Sequence, residues 1–189
     1  MAMNRRDAIK SVALMMGGAM VGANVILTGC KPEDQIIGLD FSPKDIAFLD
    51  EIGEAIIPTT DTPGAKAVGI GEFMVMMVKD TYNAEQQNDF VAGINLVRED
   101  YKAAKGKDFM EASVEERTTY LNELKSGGKI SVESDPKKVV AFLGMLQDLT
   151  VLGYFTSEVG ATQQLRYFEA PGRYDGCIDY TPGDRAYAI

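Results

Sequence analysis

Apolar residues recur at every third or fourth position in four separate segments of the chain, which is the spacing of one face of an α-helix. Each segment opens with a capping signal, in which a short polar side chain precedes the first turn. The caps are Ser42 with Asp45, Asn83 with Gln86, Ser113 with Glu116, and Asp135 with Pro136. The apolar faces are Ile46, Leu49, Ile52 and Ile56; Phe90, Ile94, Val97 and Tyr101; Leu121 and Leu124; and Val139, Phe142, Leu143, Leu146, Leu149 and Leu152. We therefore predict four amphipathic helices.

A fifth segment, Glu72 to Lys79, is apolar on nearly all sides. A helix of this composition has to be buried on most of its surface, by the core or by a partner. Its methionines, Met74, Met76 and Met77, would also suit an adaptable contact surface, because methionine packs well against irregular shapes. Ordinary core packing is the interpretation we favour.

Helix-breaking residues separate the helical segments. Pro58 and the turn-forming loop Thr59 to Gly64 follow the first helix, and Gly106 and the pair Gly127-Gly128 follow two others. A strand is suggested only at 129–133, which is too short to build a sheet. From Tyr154 onward the chain is rich in aromatic residues, glycine and proline. We predict an all-α protein, a single helical bundle domain over residues 42–189 with an irregular C-terminal arm.

The first thirty residues have the pattern of an export signal. Arg5 and Arg6 stand just before an apolar run, and the run ends with small residues in front of Cys30. An arginine pair is read by the twin-arginine export machinery, and a cysteine in this position accepts a lipid. We predict a twin-arginine signal peptide with a lipobox over 1–30 and a polar tether over 31–41. The alternatives are a plain membrane anchor, for which the glycine-containing run is short, and a cytosolic helix.

The charge balance limits the choice of partners. The chain of 189 residues has 19 basic and 28 acidic side chains, a formal net charge of −9. Such an acidic surface argues against nucleic acid and against broad binding to anionic lipid. The sequence contains no histidine, which removes the commonest general base and the commonest metal ligand.

Two short motifs resemble catalytic or nucleotide-binding signatures but lack the accompanying elements. Ser126 and Lys129 have the S-x-x-K spacing of acyl enzymes, but the glycines between them are better explained as a helix terminator. Gly69 and Gly71 form a G-x-G without a preceding strand and without the third glycine of a dinucleotide loop. We therefore predict no catalytic, cofactor-binding or metal-binding residue in this chain.

The C-terminal region has the composition of a contact surface. Tyrosine and arginine alternate with turn residues, as in protein–protein interfaces, although the same segment would also fold back on its own bundle. If Cys30 is lipidated, Cys177 is left as an unpaired thiol in an oxidising compartment. An inter-subunit disulfide and a buried core cysteine are both compatible with that count.

Several motifs together resemble a known family, the gluconate 2-dehydrogenase subunit 3 proteins. The resemblance rests on the arginine-pair signal, on the stretch Ile57 to Ala65 followed by Val68-Gly69, and on Leu149-Thr150 with the stretch Gly153 to Glu158. It continues through Leu165-Arg166-Tyr167 and through Pro171 to Cys177. The lipobox is a departure from the better-known members and adds a membrane tether.

The resemblance implies an accessory role. In such complexes a large flavoprotein of the glucose–methanol–choline type oxidises a sugar or sugar acid with FAD, and a multihaem cytochrome c or another acceptor often takes the electrons. The small subunit is similar to a chaperone-like escort that carries the export signal for its folded partner. We expect this chain to be exported to the periplasmic side and held at a membrane by the lipid on Cys30. The expected partner-interface residues are Pro63, Gly64, Tyr154, Phe155, Arg166, Tyr167, Arg173 and Cys177.

Two other functions are compatible with the residues. The first is a structural envelope lipoprotein without a dehydrogenase partner. The second is a stand-alone periplasmic hydrolase or lyase that uses paired carboxylates. A flavoprotein that co-purifies with the chain favours the escort, whereas two acids held in one pocket favour the enzyme.

Overall fold

The structure is a computed structural model that describes residues 39–170, 172 and 176–188, and it confirms the predicted all-α class. The described residues form five α-helices: α1 Pro43–Ile56, α2 Ile70–Thr81, α3 Ala84–Lys105, α4 Val114–Lys125 and α5 Pro136–Thr156. Two 3₁₀ turns, Ala65–Val68 and Phe109–Glu111, and a π-helical turn, Gly160–Gln164, lie between or after them. Two short strands, β1 Arg166–Tyr167 and β2 Tyr187–Ala188, form one parallel pair.

Helices α1, α3, α4 and α5 begin at the caps that the sequence predicts, whereas α2, for which no cap is predicted, begins at Ile70. At α1 the Asp45 backbone N–H donates to the Ser42 hydroxyl at 3.3 Å, and the Asp45 carboxylate accepts the Ser42 backbone N–H at 2.9 Å. The same reciprocal capping box opens α3 and α4. Each box satisfies backbone donors that the first helical turn leaves without partners. Gly106 closes α3 in the left-handed conformation, with φ of 72°.

Helix α5 is the centre of the bundle and packs against each of the other four α-helices. By length and composition it is apolar enough to cross a membrane. Its position in the bundle explains that composition, because a helix surrounded by neighbours needs apolar residues on several faces. Its buried apolar side chains are Val139, Phe142, Leu143, Leu146, Leu149 and Tyr154.

Helices α3 and α5 approach closely because Gly93 carries no side chain. The Phe142 ring occupies the space beside Gly93, where a Cβ would come within 2.6 Å of the Phe142 Cδ1 atom. Phe142 also meets Phe90 edge to face, with 5.5 Å between the ring centroids. The aromatic contact therefore depends on glycine at position 93.

The predicted helical faces differ from the structure at three positions. Leu152 was expected on the buried face of α5 but is 46% exposed; that prediction is wrong. At this end of α5 the buried face consists of Gly153 and Tyr154 instead. Gly153 has no side chain, so the Phe73 ring of α2 packs directly on the α5 backbone. On α1, Ile46 and Ile56 are only half-buried, whereas Phe48 is fully buried.

Residues 129–133, the one predicted strand candidate, form an irregular connection. Their backbone donors are taken by a side chain and not by a neighbouring strand. The buried Asp100 carboxylate accepts the backbone N–H groups of Ser131 and Val132 and the Tyr120 hydroxyl. Burial and this carboxylate raise the pKa of Tyr120.

Helix α2 packs most of its apolar side chains against the core. Ile70, Met74 and Val78 are buried, as the favoured interpretation of this segment expects, and Phe73 and Met77 are partly buried against them. Met76, which is 50% exposed, is the large apolar side chain of α2 that faces outward, beside the exposed polar residues of the helix.

Candidate partner interface

The loop between α1 and the first 3₁₀ turn is held by a buried carboxylate. Glu54, in the last turn of α1, is 8% exposed and accepts the backbone N–H of Thr59 at 2.8 Å and that of Lys66 at 3.2 Å. The loop also closes on itself, because the Gly64 N–H donates to the Thr59 hydroxyl at 3.0 Å. Hydrogen bonds to an ionised group are stronger than neutral ones. Glu54 thus fixes both ends of the loop 57–65.

Gly64 is the residue that brings this loop close to Glu54. A Cβ at this position would lie 2.6 Å from the Thr59 backbone nitrogen and 2.7 Å from the Glu54 Oε1 atom. These are closer approaches than a carbon atom can make, so a larger residue would push the loop away from the carboxylate. The backbone hydrogen bonds of the loop therefore require glycine here.

Two contacts join this loop to the end of α5 and the turn that follows it. Tyr154 is 1% exposed, and its hydroxyl donates to the Pro63 carbonyl oxygen at 2.7 Å. The Thr62 hydroxyl donates to the Gln164 side-chain oxygen at 2.8 Å. The stretches Ile57 to Ala65 and Leu149 to Glu158, which are far apart in sequence, thus meet in the structure.

A charged cluster ties the same region to α4. Glu51 accepts from Lys66 at 2.5 Å and from the buried Arg117 guanidinium. Burial alone would raise the pKa of Glu51, but the hydrogen bond from Lys66 and the charge of Arg117 outweigh it, and this pKa lies below the ordinary 4.5. Arg117 also donates to the backbone oxygens of Phe109, at 2.9 Å, and Met110, at 3.0 Å. The cluster satisfies a buried arginine, as buried charges require.

Beyond α5 the chain forms the C-terminal arm, which we define as the residues from Ser157 onward. The Ser157 hydroxyl donates to the Tyr154 carbonyl at 2.6 Å and accepts the Gly160 N–H at 3.1 Å, which turns the chain out of the helix. After the π-helical turn, every described residue from Arg166 to Tyr187 is exposed. The described part of the arm beyond Leu165 therefore lies on the surface, whereas Gly160 in the π-helical turn is buried.

The arm carries a cluster of aromatic side chains around one arginine. The Arg166 guanidinium carbon lies 5.3 Å from the centroid of the Phe168 ring and 5.1 Å from that of the Tyr187 ring. These distances are those of cation–π contacts. Arg166 also donates to the Tyr187 hydroxyl at 3.1 Å. Tyr167, next to it, is 51% exposed.

The predicted interface residues fall into two groups. Pro63, Gly64, Tyr154 and Phe155 lie together at the loop 57–65 and the end of α5, where Tyr154 holds the loop from inside and presents almost no surface. The second group, Arg166, Tyr167 and the free thiol of Cys177, is exposed on the arm. Their role at an interface stays a prediction. Arg173, the export arginines Arg5 and Arg6, and the lipidation residue Cys30 lie outside the described residues.

The sequence pattern did not point to several residues that shape this region. Glu54 stands between Ile52 and Ala55 on the buried side of α1, and a lone acid among core positions is the signal that identifies it. Arg185 and Tyr187 reach the cluster around Arg166 only through the pairing of β1 with β2. Nothing in the local sequence indicates that pairing. Within the described ranges, no group of three or more cysteine or acidic side chains is placed to hold a metal ion.

Comparison with known proteins gives one family match. The family model described as Gluconate 2-dehydrogenase subunit 3 matches residues 43–172, which include the five α-helices, the loop 57–65 and the first part of the arm. The searches of curated proteins and of solved structures find no match.

Proposed function

The chain belongs to the gluconate 2-dehydrogenase subunit 3 family, and on that premise we propose that it is the non-catalytic small subunit that escorts, matures and anchors a flavin-dependent dehydrogenase. The family description makes it a subunit of a dehydrogenase complex. The partner we propose is a large subunit of the glucose–methanol–choline type that binds FAD and oxidises a sugar or sugar acid. A multihaem cytochrome c is the proposed electron acceptor.

The observation that carries this proposal is the surface formed by the loop 57–65 and the arm. The loop is rigidly held by Glu54 and Tyr154, while the arm beside it exposes arginine and aromatic side chains. Exposed aromatic and arginine residues are enriched in protein–protein interfaces, and here they lie next to a loop that is fixed by buried contacts. The exposed thiol of Cys177 lies on the same arm, and we propose that it contacts the partner, as a thiol or as an inter-subunit disulfide.

The escort part of the proposal rests on the N-terminal sequence. Arg5 and Arg6 would direct the chain into the twin-arginine pathway, which accepts folded cargo, and the dehydrogenase would cross with it. The lipid on Cys30 would then hold the complex on the periplasmic side of a membrane. The lipid would attach this chain to the membrane, and the partner surface would attach the dehydrogenase to this chain.

Export of the partner tests the escort role. Changing Arg5 and Arg6 to lysine should leave both this chain and the flavoprotein in the cytoplasmic fraction, while Lys10→Gln, which keeps the arginine pair, should not. Cys30→Ala should release the exported complex from membranes into the soluble periplasmic fraction. Normal export of the flavoprotein with the lysine variant would refute the escort role.

Purification tests the subunit role. The full chain expressed alone should show no flavin absorbance and no dehydrogenase activity, whereas the complex isolated through a tag on this chain should show both. Flavin bound to the isolated chain would contradict the assignment. A tagged chain that captures no flavoprotein from its own membranes would favour the envelope lipoprotein.

A further inference from the structure

The four arginines that the structure describes differ in their partners. Arg98 pairs with Asp45 at 2.6 Å, and Arg117 pairs with Glu51. Arg166 and Arg185, on the arm, form no ion pair with any described carboxylate, although the chain carries 28 acidic residues. Within the described residues both arginines therefore lack a carboxylate counter-ion, as Lys129 and Lys137 also do; what sets the two arginines apart is that they line one cleft.

The two arginines are brought together by the pairing of β1 and β2. The Arg166 N–H donates to the Ala186 carbonyl at 2.8 Å, and the Phe168 N–H donates to the Ala188 carbonyl at 2.9 Å. These bonds join segments about twenty residues apart and set Arg166 opposite Tyr187. Arg185 precedes β2 by two residues and lines the same cleft as Arg166, together with Thr162, Leu165 and Tyr167.

The parallel pair is poorly stabilised by its own contacts. Parallel strands occur almost only where both faces are covered, and two strands alone are marginal in water. Here Arg166, Tyr167 and Tyr187 are exposed. A partner that covers the arm would supply the burial that the pair lacks.

The Arg166 guanidinium is already held in position before any ligand binds. The Phe168 and Tyr187 rings contact it, and among the described residues the Tyr187 hydroxyl is the one side-chain group that accepts a hydrogen bond from it. A guanidinium has five N–H donors in a planar fork that matches a carboxylate. Several donors of Arg166 therefore remain for a ligand, and an anion would also relieve the repulsion between the two positive charges in one cleft.

We propose that the Arg166–Arg185 cleft is a clamp for a carboxylate side chain of the dehydrogenase large subunit; this rests on the function proposed above. A protein carboxylate fits better than an anionic membrane, because the strongly negative chain is repelled by such a surface. A second copy of this chain would bring another charge of −9 against the first. The exposed Tyr167 and Tyr187 around the cleft would bury against the partner and shield the ion pair from water.

Binding of the purified large subunit to the full chain tests the clamp. The variant Arg166→Gln/Arg185→Gln is compared with Lys129→Gln/Lys137→Gln, which removes the same charge from exposed positions that have no ion pair in the described structure. Loss of the clamp should raise Kd about thirtyfold or more and should flatten the dependence of Kd on salt. The lysine control should change Kd by less than about threefold. Arg166→Lys/Arg185→Lys should restore only part of the affinity, because lysine keeps the charge but loses the planar fork.

The outcomes separate the clamp from the proposed function. A wild-type chain that binds no flavoprotein would overturn both. A wild-type chain that binds it, with the arginine variant binding as tightly and with the same salt dependence, would overturn the clamp alone. Two further results would also overturn the clamp. The first is a lower thermal midpoint of the isolated arginine variant, because it would place the counter-ion within this chain. The second is a dimer or a vesicle-bound form of the isolated wild-type chain that the arginine variant does not form.

Discussion

Replacement of Glu54 by glutamine tests whether the loop 57–65 depends on a buried carboxylate. The wild-type oxygens accept two backbone N–H groups, from Thr59 at 2.8 Å and from Lys66 at 3.2 Å. Glutamine keeps one oxygen, and its NH₂ group then faces the second N–H donor. The variant therefore loses at least one hydrogen bond to a charged acceptor and leaves one backbone donor without a partner.

The magnitude follows from these two losses. A hydrogen bond to a charged group contributes about 1.5–3 kcal/mol, and an unsatisfied buried donor costs about 1–3 kcal/mol. These two costs partly describe the same lost interaction and are not fully additive, so we expect the free energy of unfolding to fall by about 2–4 kcal/mol. For a domain of this size each kcal/mol lowers the thermal midpoint by about 2–4 °C. The expected shift is therefore roughly 4–16 °C.

Urea unfolding of the full chain, followed by circular dichroism, measures this change. Glu99→Gln is the matched control, because the Glu99 side chain lies exposed on α3 and forms no hydrogen bond or ion pair in the described structure. It should change the free energy of unfolding by less than about 0.5 kcal/mol. Hydrogen exchange adds a local readout, in which the Thr59 and Lys66 amides lose protection in Glu54→Gln. Equal stability of the two variants would refute the role assigned to Glu54.

Three smaller changes test the contacts around the loop and the core. Tyr154→Phe removes the hydroxyl that donates to Pro63 and keeps the ring, so the free energy of unfolding should fall by about 1 kcal/mol; an unchanged urea midpoint would show that this hydrogen bond is dispensable. Glu51 has a folded-state pKa below 4.5, so its contribution to stability is present above about pH 4.5 and is lost as the pH falls through the folded value. Glu51→Gln should therefore reduce the fall of the thermal midpoint at acid pH. An unchanged fall of the midpoint would contradict the role assigned to Glu51. Gly93→Ala places a methyl group against the Phe142 ring and should lower the free energy of unfolding by about 1–3 kcal/mol. Adding Phe142→Leu to the same chain should recover part of that loss. If Gly93→Ala alone is as stable as the wild type, α3 and α5 can move apart without an energetic cost.

The loop and the arm have different mechanical roles in the proposed complex. The loop is fixed by Glu54 and by Tyr154, both of which are buried. The first turn of the arm is joined to α5 and to the loop through Ser157 and Gln164. Beyond that turn, the described part of the arm is held by the ladder between β1 and β2 and by stacking around Arg166. Substitutions in the loop should therefore reduce the stability of the isolated chain, whereas substitutions in the arm should reduce binding to the partner with little effect on stability.

Much of the helical bundle is predictable because its signals are local. The capping boxes at Ser42, Asn83 and Ser113 each lie within four residues, and the structure places a helix start at every one. The spacing of apolar residues on α3 likewise identifies its buried face. Such signals depend on the geometry of a single helical turn and need no knowledge of the neighbours.

Predictions failed where a neighbouring element decided the outcome. Leu152 continues the apolar spacing of α5, but Gly153 allows the Phe73 ring onto the helix and the face turns away from Leu152. Residues 129–133 have strand-forming composition, but Asp100 takes two of their backbone donors. In both cases a residue distant in sequence supplied the competing contact.

By itself, the sequence determined the helical class, the starts of four helices, the likeness to the subunit family and the absence of histidine chemistry, because each depends on residue type or on short spacing. Only the tertiary structure decided that Glu54 and Tyr154 hold the loop 57–65. It alone placed Arg166 and Arg185 in one cleft. These arrangements join residues tens of positions apart, and no local pattern records such contacts. The surface proposed for the partner is therefore a product of the fold, built from residues whose separate signals are weak.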